Sequence, residues 1–232
     1  MTITFITGAN KGLGFETARR LIEQGHTVVL GARDEKAGAA AAEKLGARFV
    51  RIDVTDDGSV AAAAADVERN EGAVDVLINN AGVQGPAGDP TGLTGADVLG
   101  VLDVNVAGVV RVSSAFLALL RRSADPVIVN VSSGMGSLDA THDPSRPESK
   151  YLAPTYTASK AALTMLTTQY AKAWPDIRIN AADPGYTATD FTNYLGTQTV
   201  TEGTDAIVGL ATEGPGHGSG RFVARDEEIT WP

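Results

Sequence analysis

The chain has 232 residues, enough for one domain with a sizeable core, and at 43% hydrophobic and 20% charged its composition is that of a globular protein. A formal charge of −9, with no basic run beyond Arg19-Arg20 and Arg121-Arg122, argues against a nucleic-acid-binding face. The absence of cysteine excludes disulfides, thiolate chemistry and cysteine-held metal, and His26, His142 and His217 are too scattered to form a metal-ligand pattern.

Ile3 to Ile6 reads as a short buried strand, which leaves no room for a signal peptide and makes a cytoplasmic location the expectation. The glycine-rich loop Thr7-Gly8-Ala9-Asn10-Lys11-Gly12-Leu13-Gly14 follows, and then an amphipathic helix from Phe15 to Gln24. Strand, glycine loop and helix in succession form the context in which a loop holds a pyrophosphate against a helix N-terminus, although the spacing G-x-x-x-G-x-G departs from the common G-x-G-x-x-G. A second strand, Thr27 to Gly31, leads through Ala32-Arg33 into an alanine-rich helix from Asp34 to Leu45, with Asp34 as its cap. Arg48 to Ile52 is the third strand, Asp57 to Asn70 a helix, and Val74 to Ile78 the fourth strand, ending in Asn79-Asn80-Ala81-Gly82.

A glycine- and proline-rich loop from Gln84 to Gly95 precedes a long helix, about Ala96 to Arg122, apolar on nearly all sides. Asp103, Asn105 and Arg111 interrupt it, so it does not read as a membrane span. Val127 to Val131 is the fifth strand, ending in Ser132-Ser133, and a long polar loop then leads to a helix from Tyr156 to about Trp174. Ile177 to Ala181 is the sixth strand, followed by Asp183-Pro184-Gly185, a helix from Glu202 to Thr212 and a last short strand, Gly220 to Ala224. Strands that are continuous apolar runs, alternating with helices, predict one doubly wound α/β domain over 1–232, with a mainly parallel sheet of about seven strands. Ligands in such sheets sit beyond the carboxyl ends of the strands, where Asp53, Asn79, Ser133 and Pro184-Gly185 all fall.

Tyr156 and Lys160 are four residues apart, on one helical face. A lysine ammonium beside a phenol favours the phenolate and could move the tyrosine toward neutrality, which makes the pair an acid/base candidate. A solvated helical face is the alternative reading of the same spacing.

Taken together, Thr7-Gly8-xxx-Gly12-x-Gly14, Asp53-Val54, Asn79-Asn80-Ala81-Gly82, Asn105, Ser133, Tyr156-xxx-Lys160 and Pro184-Gly185-xxx-Thr189 resemble the short-chain dehydrogenase/reductase family over essentially the whole chain. The resemblance implies a Rossmann-like fold and hydride transfer between a nicotinamide cofactor and a small carbonyl or alcohol substrate. It implies Tyr156 as general acid, Lys160 as the group that lowers its pKa and binds the nicotinamide ribose, and Ser133 as hydrogen-bond donor to the carbonyl oxygen, with Ser132 as the fallback. Asn105 would hold a water in a proton relay, or merely satisfy nearby backbone. Cofactor contacts are implied for Gly8, Asn10, Lys11, Gly12, Leu13, Gly14, Arg33, Asp53, Val54, Asn79, Ala81, Gly82, Tyr156, Lys160, Pro184, Gly185, Thr187 and Thr189.

Position Ala32 lacks the carboxylate that would repel a 2′-phosphate, and Arg33 and Lys11 offer positive charge, so NADP(H) is expected. Asp34 as ribose acceptor is the competing reading. The 22 residues between Ser133 and Tyr156 exceed the family pattern and resemble the insertion of its monomeric carbonyl reductases. A homodimer is the other possibility, since the long apolar helix needs cover either from a partner subunit or from the Tyr156 helix and the insertion. The functional expectation is an NADPH-dependent carbonyl reductase. The alternatives are an alcohol dehydrogenase working in the oxidative direction and a non-catalytic NADP(H)-sensing regulator on the same fold.

Overall fold

The computed structural model describes residues 1–229; the last three residues of the expected 1–232 domain lie outside the described residues. Seven parallel strands form one sheet: β1 (Ile3–Thr7), β2 (Thr27–Ala32), β3 (Arg48–Arg51), β4 (Val76–Asn79), β5 (Val127–Val131), β6 (Arg178–Ala182) and β7 (Phe222–Val223). Their order is β3-β2-β1-β4-β5-β6-β7. The chain therefore runs outward from β1 in one direction, returns, and runs outward from β4 in the other. The reversal opens a crevice between the carboxyl ends of β1 and β4, the place where doubly wound sheets hold ligands.

The helices between the strands are α1 (Gly12–Glu23), α2 (Glu35–Leu45), α3 (Asp57–Asn70), α4 (Gly95–Leu102), α5 (Gly108–Leu120), α6 (Leu138–His142), α7 (Pro154–Ala173), α8 (Val200–Gly203) and α9 (Asp205–Thr212). Alternation along each strand divides the core in two. Ile6, Leu30, Ile78 and Val129 face a layer built on Leu21 of α1, Ala41 of α2 and Ile207 of α9. Phe5, Val29, Leu77 and Ile128 face the opposite layer, with Val67 of α3 and Val112 and Phe116 of α5. Both layers are apolar, which is why the strands read as unbroken hydrophobic runs.

Asp34 caps α2 by accepting from Ala37 N at 2.9 Å, and Asp56 caps α3 by accepting from Ser59 N at 2.6 Å. The helix expected over 96–122 is not continuous. α4 and α5 are joined by one π-helical turn, Asp103–Ala107, whose extra residue turns Asn105 into the protein. By length and mean hydropathy (1.5) the segment Gly95–Leu120 could cross a membrane, but in the fold it lies in the helical layer, with Val101, Val112, Phe116 and Leu120 buried. Arg111 bonds Asp57 and Asp103, each at 2.8 Å. α3 lies along α5 and α7 lies along α4, so part of this apolar surface is covered within one chain. Leu99 of α4 and Met165 of α7 stay exposed.

The segment between Ser133 and Tyr156, expected as a loop, carries its own short structure: the 3-10 turn Gly134–Gly136, α6 and the 3-10 turn Pro147–Lys150. Ser137 caps α6 by accepting from Ala140 N at 3.1 Å, and Pro147 opens the second turn.

Candidate active site

The position of α7 is set by polar bonds to three successive residues of the β5 end. Asn130 donates to the Thr167 hydroxyl at 2.9 Å, the Lys160 ammonium donates to the Val131 carbonyl at 2.7 Å, and the Ser132 and Thr164 hydroxyls share a bond of 2.7 Å. Residues 156, 160, 164 and 167 lie on one helical face, so the same face that docks the helix presents the tyrosine. Ser132 is fully buried and spent on this docking, which leaves Ser133 as the serine beside Tyr156.

Tyr156 and Lys160 are both buried, with the ammonium 5.4 Å from the ring centroid. Burial drives the phenol well above its ordinary value; hydrogen bonding with Ser133 works against this, and the negative charge of Asp183 works with it. Burial also pushes Lys160 down to about 8, opposed by Asp183. The expectation that Lys160 draws the tyrosine toward neutrality is therefore reversed in the isolated chain. The ammonium is bonded to a carbonyl, and the desolvation of a buried phenolate outweighs its attraction. Through neutral pH Tyr156 is a phenol, the form a proton donor needs.

The glycine loop closes one side of the crevice. Gly8 and Gly12 have φ of +66° and +54°, which favour glycine. A Cβ on Gly14 would meet Asn80 Nδ2 at 2.5 Å and Gly8 O at 2.6 Å. No side chain caps α1, whose first turn holds Leu13 and Gly14 and no acidic residue. The uncapped end of a twelve-residue helix behind a glycine-rich loop is a cradle for an anionic pyrophosphate, so the residues present fit a dinucleotide. Asn10 stands in the same loop, half-buried.

Other expected residues divide into those at the crevice and those turned away from it. Thr189 reaches to the glycine loop, 3.7 Å from the Cβ position of Gly12, after the turn at Pro184-Gly185, where Gly185 has φ of +65°. Ala81 donates its N–H to Thr7 Oγ1 at 3.0 Å, beside Gly8. The Cβ position of Gly82 lies 3.3 Å from Asn105 Oδ1 and 3.8 Å from Lys160 Nζ. Asn105 itself exchanges two 2.8 Å bonds with the Val83 backbone and donates to Ser159 at 2.9 Å, so satisfying backbone is its observed work. Asp53 is held in an Asx turn, accepting from Thr55 N at 3.0 Å and Thr55 Oγ1 at 2.7 Å, and Val54 is buried against Gly108. Arg33 is exposed at the end of β2, close enough to Asp53 to help lower its pKa, and pairs with no acid among the described residues.

Two expectations need correction. The Asn79 side chain does not face the crevice: it points into the sheet face under α5, donating to Asn130 Oδ1 at 2.9 Å and Ser113 Oγ at 3.1 Å. The crevice residue is its neighbour Asn80, which donates to Thr7 O at 2.8 Å and Gly8 O at 3.1 Å and braces the glycine loop. Thr187 is buried against Gly203 of α8 with its hydroxyl given to Pro184 O at 2.9 Å, so its side chain makes no contact with the crevice. Lys11 lies toward the far wall, paired with Asp190.

Val83, Leu138, Tyr151, Leu152, Phe191, Tyr194 and Leu195 are all exposed, on the segments that follow β4, β5 and β6. The Phe191 ring stands 5.8 Å from the Tyr156 ring, and Tyr151 of the insertion is 5.5 Å from Tyr186. Asn193 and Tyr194 both have positive φ, 50° and 60°, which is strained for an aromatic residue and holds Tyr194 outward.

Comparison with known proteins agrees with this geometry. A family profile described as short chain dehydrogenase matches residues 2–199. The short-chain dehydrogenase anuI of Penicillium roqueforti is 35% identical, covering 98% of this chain and 95% of that protein. The (−)-isopiperitenone reductase of Mentha piperita is 33% identical, covering 97% and 96%. Among solved structures, the NADPH-bound carbonyl reductase from chicken fatty liver superposes with a TM-score of 0.87 at 27% identity over 100% of both chains. Salutaridine reductase from Papaver somniferum gives 0.84 at 26% identity, covering 96% of this chain and 99% of that one. The chain belongs to the short-chain dehydrogenase family of nicotinamide-dependent oxidoreductases.

Proposed function

We propose that the protein is an NADPH-dependent reductase of ketone or aldehyde carbonyls borne on apolar, ring-containing molecules. The observation that carries the reading is the convergence of Ser133, Tyr156 and Lys160 at the carboxyl ends of β5 and β6, beside the glycine cradle. When bound, the nicotinamide supplies the hydride for the carbonyl carbon. Ser133 donates a hydrogen bond to the carbonyl oxygen, and Tyr156 gives that oxygen its proton as charge builds there. Lys160, still largely protonated at neutral pH, orients the ribose and steadies the phenol's charge change. Asn105 would hold a water of a proton relay to Lys160, accepting from it with the lone pair of Oδ1 that the Val83 N–H leaves free. An assembled acid–base pair favours chemistry over a purely sensory role.

Tyr156→Phe removes the proton donor but keeps the ring against Phe191. Carbonyl reduction should fall by about two to four orders of magnitude, with NADPH binding, read by fluorescence titration, changed little. Turnover near the parent's would sink the mechanism.

The NADP(H) preference rests on Arg33. Asp34 is committed to capping α2, so no acid competes for the ribose at the end of β2. Lys11 pairs with Asp190 only across an exposed contact, so it can add a second positive charge beside Arg33. Arg33→Ala should weaken NADPH by about tenfold or more and leave NADH nearly unaffected. Equal kcat/KM for the two coenzymes in the parent would overturn the assignment.

Exposed apolar residues on the segments after β4, β5 and β6, with Phe191 5.8 Å from Tyr156, support a hydrophobic substrate. The names of the relatives that reduce isopiperitenone and salutaridine point the same way. Phe191→Ala should raise KM for bulky cyclic ketones more than for small aliphatic ones; a uniform change across such a panel would count against this role. The same proposal extends to a cytoplasmic location and to a homodimer joined through the exposed faces of α4 and α7 around Leu99 and Met165. Sedimentation at micromolar concentration as a single 24.0 kDa species would refute the dimer.

A further inference from the structure

Asp183, the residue after β6, has no part in the mechanism above, yet it lies buried beside it. Its carboxylate accepts from the backbone N–H of Gly185 at 2.9 Å, and its Oδ2 lies 3.0 Å from the Cβ position of Gly134, the residue after Ser133. It therefore stands between the backbone that carries the serine and the turn that carries Gly185. The insertion brings a second carboxylate to the same place. The Cβ position of Gly134 lies 2.5 Å from Glu148 Oε1 and 3.0 Å from Asp183 Oδ2, so the two acids converge on one point behind Ser133.

The charged groups around this pair come from three directions. Arg146 of the insertion bonds Glu148 at 3.4 Å and Glu227 of the C-terminal segment at 3.0 Å. From α7, Tyr156 and Lys160 feel the Asp183 charge. Burial raises the Asp183 carboxyl; the N–H groups of Gly185 and Gly134 work against this, the Glu148 charge works with it, and the Arg146 charge opposes it.

We propose that Asp183 is a positioning residue for the Ser133, Tyr156 and Lys160 group, holding the backbone behind Ser133 and setting the charge field of the other two, and that Glu148 of the insertion governs whether that charge is present. An anion here opposes a phenolate and favours an ammonium, so it keeps Tyr156 a donor and Lys160 a cation. The catalytic role rests on the oxidoreductase reading; the charge coupling does not.

The test is a lysine ¹³Cε NMR titration of the full chain without cofactor, with Lys160 assigned by its loss in Lys160→Met. In Asp183→Asn, which keeps the shape and removes the charge, the Lys160 titration should fall by about half a pH unit to one unit while the other lysines stay put. The alkaline limb of kcat/KM for carbonyl reduction should move down with it. A Lys160 titration unmoved in Asp183→Asn overturns the proposal, even if kcat falls equally at every pH, since that is the signature of a merely structural role. Should Asp183→Asn not fold, Glu148→Gln carries the test. Its Asp183 carboxyl, followed by aspartate ¹³Cγ NMR, should titrate at lower pH than in the parent, and an unchanged value overturns the proposal. A shifted Lys160 in a protein whose parent chain reduces no carbonyl with NADPH would uphold the coupling and sink the oxidoreductase reading.

Discussion

The site depends on the way one helix is docked to one strand end by polar bonds. Apolar packing alone fixes a helix on a sheet only loosely in rotation and translation, because methyl groups slide past one another at little cost. Thr167, Thr164 and Lys160 instead meet Asn130, Ser132 and the Val131 carbonyl through bonds of 2.7 to 2.9 Å, all in the protein interior. Each bond contributes about 1 kcal/mol net, but a slip of one residue would leave all the partners buried and unsatisfied at about 1 to 3 kcal/mol each. That difference makes a single register the only low-energy arrangement. Tyr156, one turn before Lys160, is placed beside Ser133 as a consequence.

The same burial that gives this precision sets the chemistry. A phenol and an ammonium shut away from water are both driven toward their neutral forms, and the nearby Asp183 charge pushes both toward their protonated forms. The two influences agree on Tyr156 and disagree on Lys160. Its titration near 8 is the balance between them, and small changes in local charge move that balance across the physiological range.

Much of this was legible in the chain of residues, and the failures have a common cause. The glycine loop, the alternation of strands and helices and the cap at Asp34 are local patterns, and each appears where its neighbours place it. Asn79 was misread because a strand buried on both faces carries no alternation to give its phase. Leu77 and Ile78 are equally apolar though they face opposite layers, and only the fold shows that Asn79 shares the Leu77 face. The π-helical turn at Asp103–Ala107 adds one residue to an otherwise regular apolar run, which no hydrophobic period reveals. The meeting of Glu148 with Asp183 at Gly134, and the packing of Thr187 on Gly203, join segments distant in sequence and leave no trace in spacing. Asn80, by contrast, could have been found: it sits next to the residue chosen, with the same side-chain chemistry.

The pairing of Lys11 with Asp190 joins the two walls of the crevice across 179 positions of sequence. Both groups are substantially exposed, so the pair is worth about 0 to 1 kcal/mol. At the upper figure roughly one molecule in six or seven is unlatched at any moment, and the latch weakens the apparent affinity of an entering dinucleotide by about six- to sevenfold at most. The crossing is thus a resting posture rather than a barrier. A cofactor arriving by diffusion finds a standing fraction of open molecules and has no need to force the walls apart.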